Sequence, residues 1–104
     1  MNQNNIRHRI FESIHATDPQ AKAYLFGSRA RGDFNPKSDW DVLILVDENK
    51  VTNQIEDKFR DKLYNIELEI GQIISTLIYP KAYWSNVLSH SPLHKNVEKE
   101  GIRL

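Results

Sequence analysis

The sequence predicts an α/β (α+β) protein in which helices pack on a small mixed β-sheet. Apolar residues recur at helical spacing in two segments, residues 3–16 and 53–70. Three shorter apolar runs, at residues 21–26, 42–46 and 72–79, have the length and composition of strands. Because helical and strand patterns alternate along the chain, we expect a sheet with helices packed on it.

The order of these segments also predicts how the strands pair. The first helix ends before Pro19, and Gly71 is the expected stop of the long helix. This long helix connects the second and third strands, which indicates a crossover and therefore a parallel pair. The short connection between the first and second strands allows an antiparallel pair, so we expect a mixed sheet. Shorter helices are expected over residues 80–88 and 93–100.

The composition indicates one globular domain, which we assign to residues 1–104. Of the 104 residues, 39% are hydrophobic and 27% are charged, and the 14 basic and 14 acidic residues give a net charge of +0. This balance argues against a general nucleic-acid-binding protein. The absence of cysteine excludes disulfides and thiolate metal sites. Because no signal peptide or membrane-length apolar run is present, we expect a cytoplasmic protein that does not contact a membrane.

A Gly-Ser turn follows the first strand. Gly27 permits a positive φ or a close approach to a ligand, and Ser28 suits the N-cap of a short helical turn. Free backbone N–H groups at such a turn favour phosphate, and Arg29 or Arg31 adds positive charge. We therefore predict that Gly27, Ser28, Arg29 and Arg31 bind the phosphates of a nucleotide.

Two aspartates open the second strand. Successive strand residues alternate faces, so Asp39 and Asp41 should point the same way and Trp40 to the opposite face. Paired carboxylates suit Mg²⁺, which is held by one or two protein carboxylates together with water and substrate phosphates. An Asp-x-Asp pair alone is a weak signal because most exposed acids are simply solvated. The preceding Gly-Ser turn and the following buried strand strengthen it, and we predict Asp39 and Asp41 as metal ligands and catalytic residues.

The turn and the aspartates together resemble the signature of the DNA polymerase beta-like nucleotidyltransferase superfamily: Gly27-Ser28-Arg29-Ala30-Arg31-Gly32, then Ser38-Asp39-x-Asp41 and an apolar strand. The chain length and element order resemble its minimal nucleotidyltransferase branch, whose members are often encoded beside a HEPN-domain protein. The resemblance implies the nucleotidyltransferase fold, with ATP or another nucleoside triphosphate held at the turn and Mg²⁺ at the aspartates. It also implies transfer of AMP to a hydroxyl of a HEPN-domain toxin, and a toxin–antitoxin complex with that partner.

One part of the family's pattern is missing. Active members usually carry a third carboxylate on the strand after the long helix, where it helps to hold metal and activates the attacking hydroxyl. Residues 72–79 contain no acid. Glu67 and Glu69 are expected on the preceding helix, although a register shift of two or three residues would bring Glu69 to the strand.

Three functions therefore remain open. The first is transfer of AMP to a partner protein. The second is an antitoxin that neutralises its partner by binding alone, with impaired catalysis. The third, transfer to a small molecule such as an aminoglycoside, is weaker because relatives of that kind carry a second domain.

Other signals in the sequence are less specific. The phosphate-loop pattern G-x-x-x-x-G-K-[ST] and the dinucleotide pattern G-x-G-x-x-G are both absent. Pro92 separates His90 from His94, so we expect exposed histidines rather than a ligand pair. Trp84 is expected to pack with neighbouring tyrosines or, if exposed, to anchor a partner protein.

Overall fold

The computed structural model describes residues 2–104 as a four-stranded sheet with helices on both faces. The helices are α1 (Gln3–Thr17), α2 (Ser28–Arg31), α3 (Asn53–Ile70), α4 (Lys81–Asn86) and α5 (Pro92–Glu100). The strands are β1 (Lys22–Phe26), β2 (Trp40–Val46), β3 (Ile74–Pro80) and β4 (Ile102–Arg103). The predicted fold class is confirmed.

The strand order is β3-β2-β1-β4, and the sheet is mixed. The strands β2 and β3 are parallel and are connected by α3, whereas β1 is antiparallel to β2. Both pairings agree with the prediction. Strand β4 was not predicted, because two residues carry no readable pattern; it pairs antiparallel with β1, with Leu25 opposite Ile102.

Several predicted boundaries shift by one or two residues. The third strand begins at Ile74 rather than at residue 72, because Gly71 ends α3 with φ +68° and the chain needs a short turn before the sheet. Helix α4 ends at Asn86, two residues earlier than predicted.

None of the helices within residues 2–104 combines the length and apolar composition that a membrane crossing requires.

The main core lies between the sheet and the helices α1 and α3. Trp40, which begins β2, is completely buried there, as its predicted position opposite the aspartates requires. Burial of a large side chain of this kind stabilises a fold by about 1.5–3 kcal/mol. Residues of both helices and of alternate β2 positions complete this core: Ile6, Ile10, Ile14, Phe59, Leu63, Ile66, Val42, Ile44 and Val46.

A smaller core covers the opposite face of the sheet. Leu43 and Leu45 of β2 pack there with Trp84 of α4 and Val97 of α5. Trp84 is thus a core residue, as predicted. His94 stacks on Trp84 with ring centroids 4.6 Å apart, so the expectation of an exposed histidine is wrong at this position.

The outer edge of β3 is occupied by side chains of α3. Arg60 donates to the carbonyl of Thr76 at 3.1 Å, and the Glu67 carboxylate accepts from the N–H of Ile74 at 2.7 Å. These bonds satisfy backbone groups that an edge strand would otherwise expose. Glu69 also lies on α3, where it pairs with Arg9 of α1, so the register shift that would bring it to the strand does not occur.

Candidate active site

The Gly-Ser turn lies between β1 and α2. Gly27 has φ +75° and occupies the N-cap position, so the expectation that Ser28 caps the helix is wrong and Ser28 is the first helical residue. Glycine takes this position because a positive φ disfavours residues with a Cβ. The Gly27 carbonyl accepts from the N–H groups of Ala30 and Arg31 at 3.1 and 3.0 Å, which closes the turn.

The carboxylate of Asp41 lies directly against this turn. A Cβ built on Gly27 would stand 2.2 Å from Oδ2 of Asp41, a distance that no real side chain tolerates. The pairing of β1 with β2 produces this approach, because it sets Phe26 opposite Asp41 at the end of the ladder. The absence of a side chain at position 27 therefore leaves room for the Asp41 carboxylate beside the turn.

The electrostatics of Asp41 fit a cation site. Its pKa is raised, first by partial burial and then by the charge of Asp39, while Arg31 opposes the shift. Asp39 directly precedes β2 and is exposed. Two carboxylates that repel each other, one of them partly desolvated, are suitable oxygen donors for a hard divalent ion. Asp39 and Asp41 thus fit Mg²⁺ chemically, and their role as metal ligands stays a prediction.

The position beside Asp41 on β3 holds no acid. The parallel register of β2 and β3 sets Ser75 next to Asp41, and the Ser75 side chain is exposed. Within residues 2–104, no three acidic or histidine side chains converge as a metal cluster. The residue beside Asp41 on β3 is therefore a serine and not an acid.

The two arginines of the motif have different surroundings. Arg29 is 6% exposed, and its guanidinium donates to the carbonyl of Ser38 at 3.0 Å and to Oε1 of Gln72 at 3.2 Å. It also lies between two aromatic rings, 4.6 Å from the centroid of Phe34 and 4.7 Å from that of Trp40. Burial lowers the pKa of Arg29. These contacts favour a structural role, in which Arg29 holds the loop before Asp39, over the predicted contact with phosphate.

The Gln72 side chain supports the same loop from the connection between α3 and β3. Its Oε1 accepts from the indole N–H of Trp40 at 2.7 Å as well as from Arg29. One amide oxygen thus accepts from two buried donors. Each donor would destabilise the fold by about 1–3 kcal/mol if it were buried without an acceptor. Gln72 lies after α3 and is absent from the predicted site, because nothing in its local sequence indicates this contact.

Arg31 is exposed and faces the turn. It donates to Asp33 at 3.2 Å and to both carboxylate oxygens of Glu100 at 3.3 and 3.2 Å. The hydrogen bonds to Asp33 and then to Glu100 raise the pKa of Arg31. The Glu100 carboxylate also accepts from the N–H of Gly27 at 3.2 Å. Glu100, like Gln72, is a residue at this site that the sequence did not predict.

Comparisons with known proteins agree with this geometry. A family model described as "Nucleotidyltransferase domain" matches residues 8–104. Two proteins of Methanocaldococcus jannaschii, each named "putative protein adenylyltransferase", are similar in sequence. One, MJ0604, is 32% identical over 80 residues, which are 77% of this chain and 73% of that protein. The other, MJ0141, is 38% identical over 65 residues, which are 62% of this chain and 64% of that protein.

Solved structures share the fold. A chain in a mutant crystal structure of the toxin–antitoxin MntA–HpeT matches with a TM-score of 0.63 and 20% identity, covering 100% of this chain and 72% of that one. A structure described as a "putative minimal nucleotidyltransferase" matches with a TM-score of 0.60 and 21% identity, covering 100% of this chain and 97% of that one. Because the family model covers nearly the whole chain, this chain belongs to the nucleotidyltransferase domain family.

Proposed function

We propose that this chain binds Mg-ATP and transfers AMP to a hydroxyl of a partner protein, as the antitoxin of a HEPN-domain toxin. The observation that carries the proposal is the position of the Asp41 carboxylate against the Gly27 turn. This position brings the proposed cation ligand, Asp41, and the proposed phosphate-binding turn into one small site. Membership of the nucleotidyltransferase family supports the reaction type. The names of the relatives support a protein acceptor, and the similarity to the MntA–HpeT structure supports a toxin partner.

Each residue then has a chemical task. Ser28 offers its N–H and hydroxyl to the terminal phosphates, and Arg31 adds positive charge beside the turn. Asp39 and Asp41 hold Mg²⁺, which neutralises the phosphates and favours in-line attack. A bond forms between the acceptor oxygen and the α-phosphorus, the α–β anhydride bond breaks, and pyrophosphate leaves. The hydroxyl proton must pass to a base, and no acid on β3 is present to take it.

A second candidate function follows from that missing base. Ser75 stands where an acid would activate the acceptor, and loss of a general base typically slows a reaction by 10²–10⁴-fold. A chain that binds nucleotide without efficient transfer would act as an antitoxin by covering its partner.

The first experiment tests nucleotide binding. Mg-ATP is titrated calorimetrically into the wild-type chain and into the double variant Asp39→Asn with Asp41→Asn. We expect measurable binding by the wild type and at least a hundredfold weaker binding by the variant, because two charged ligands are lost. The matched control is Asp57→Asn with Asp61→Asn, which removes two exposed acids from α3. Equal affinity in both double variants would contradict the proposed site.

The second experiment separates the two candidate functions. The product of the adjacent open reading frame, which this proposal expects to be a HEPN-domain protein, is incubated with this chain, Mg²⁺ and ATP, and then weighed by mass spectrometry. A mass gain of AMP that the double variant does not produce supports transfer. An unmodified partner that is still bound and neutralised by the double variant supports binding alone. A mass gain with the double variant would overturn the assignment of the two aspartates.

A further inference from the structure

Glu100 connects the last helix to the phosphate-binding turn. Its side chain is 17% exposed, and its carboxylate accepts from the N–H of Gly27 and from Nη1 of Arg31. Both donors belong to the segment that the proposed function assigns to the nucleotide. Glu100 lies outside the Gly-Ser turn and Asp-x-Asp residues that carry the resemblance in sequence.

The sheet determines this position. Strand β4 pairs with β1, and continuing the register from Leu25 and Ile102 by two residues sets Glu100 opposite Gly27. Gly101 allows the chain to pass from α5 into β4, since a Cβ there would stand 2.4 Å from the carbonyl oxygen of Val97. The carboxylate is therefore held by a helix end and a strand start, which leaves it little freedom.

The contacts leave the other donors of the turn available. The N–H groups of Ser28 and Arg29 have no acceptor among residues 2–104, whereas that of Gly27 is bonded to Glu100. Glu100 thus bonds one side of the turn and one edge of Arg31. These bonds are 3.2–3.3 Å long, and because one carboxylate accepts from both groups they restrict the turn and Arg31 together.

We propose that Glu100 is a positioning residue of the nucleotide site, which fixes the Gly27 turn and the Arg31 guanidinium so that they receive the terminal phosphates. This inference rests on the proposed function. A rival interpretation of the same contacts is that Glu100 competes with phosphate for these donors. The two interpretations predict opposite changes in affinity when the carboxylate is removed.

The test compares Glu100→Ala and Glu100→Gln with the matched variants Glu98→Ala and Glu98→Gln on the same helix. Glu98 is exposed and lies near His94 rather than near the turn. Affinities for Mg-ATP and for Mg-AMP are measured by calorimetry or NMR titration. We expect Glu100→Ala to weaken Mg-ATP binding about tenfold or more, as loss of charge-assisted bonds does. Glu100→Gln should restore part of the affinity because its amide oxygen still accepts hydrogen bonds.

Two further measurements separate positioning from a purely structural effect. The loss should be small for Mg-AMP, which lacks the terminal phosphates, and the Gly27 amide resonance should move in both Glu100 variants but in neither Glu98 variant. If Glu100→Ala fails to fold, Glu100→Gln carries the test. Unchanged or tighter Mg-ATP binding by the Glu100 variants, with normal binding by the wild type, would overturn this inference and leave the proposed function intact. No Mg-ATP binding by the wild type would overturn the proposed function itself.

Discussion

At the scale of single residues, the absence of a side chain at Gly27 allows the Asp41 carboxylate to lie against the turn. Gly27 has both a positive φ and a carboxylate pressed against its Cα, whereas Gly32 has a φ of +92° with nothing within 4 Å of a Cβ built there. Both glycines thus adopt a positive φ that disfavours a side chain, but only at Gly27 would a Cβ also collide with a neighbouring residue. This difference allows the close approach to Asp41 to be tested separately from backbone strain.

We expect Gly27→Ala to abolish Mg-ATP binding and to destabilise the fold, because the new Cβ would force Asp41 away from the turn. Gly32→Ala should cost only the strain of its backbone conformation, about 1–3 kcal/mol, and should bind Mg-ATP nearly as well as the wild type. Calorimetric titration and thermal denaturation of both variants provide the comparison. Equal loss of binding in the two variants would show that the approach of Asp41 is unimportant.

Arg29 and Arg31 show what a motif does not specify. Both follow the same Gly-Ser turn, and the sequence predicted a phosphate contact for one or both. The structure buries Arg29 against Phe34 and Trp40, while Arg31 stays exposed between Asp33 and Glu100. The reason is that side chains two residues apart in a helix point in different directions, and only the surrounding loop and sheet decide which direction is buried.

At the scale of elements, the crossover from β2 through α3 to β3 decides which residue stands beside Asp41. The parallel register makes that residue Ser75, and its exposed side chain leaves room for a larger one. Strand β3 pairs with β2 along its whole length, and Arg60 and Glu67 of α3 form hydrogen bonds with backbone groups on its outer edge. An acid substituted at position 75 would therefore lie on a strand whose backbone contacts are already made.

If the proposed transfer occurs, we predict that Ser75→Asp increases AMP transfer to the proposed partner protein by about tenfold or more, because it supplies a carboxylate beside Asp41 for the acceptor proton. Ser75→Asn is the control, since it has a similar shape without the charge. Transfer rates are measured by mass spectrometry of the partner after timed incubation with Mg-ATP. Equal rates for the wild type, the Asp variant and the Asn variant would show that the missing acid is not what limits transfer.

At the scale of the whole molecule, the charge of Asp41 links the site to global stability. Its pKa in the folded chain lies above the ordinary value of 3.8, mainly because of burial, so the folded state binds this proton more tightly than the unfolded chain does. The stabilisation that protonated Asp41 gives the folded state is fully present below the pKa of this aspartate in the unfolded chain. It is lost as pH rises through the folded pKa. An ionised Asp41 without a cation therefore destabilises the fold at neutral pH.

We expect Asp41→Asn to melt at a higher temperature than the wild type at pH 7 in EDTA, with the difference disappearing below about pH 4, near the ordinary pKa of an aspartate. Addition of Mg²⁺ should raise the midpoint of the wild type more than that of the variant, because binding to the folded state alone stabilises it. Thermal denaturation followed by circular dichroism at both pH values measures this, with Asp57→Asn as the exposed control. A lower midpoint for Asp41→Asn than for the wild type at pH 7 in EDTA would contradict the sign of the effect.

The sequence by itself determined the fold class, the parallel pair, the glycine turn and the strand that buries Trp40, and it allowed the antiparallel pair and the positive φ of Gly27. The elements and the turn follow from spacing and turn chemistry within a few positions, and the strand pairings follow from the lengths of the connections between the strands. Only the tertiary structure decided that Asp41 presses against Gly27, that Arg29 is buried with Gln72, and that Ser75 stands beside Asp41. It also brought Glu100 to Gly27 across 73 residues of sequence. Such contacts depend on strand register and on the two-residue strand β4, and neither leaves a periodic trace in the chain.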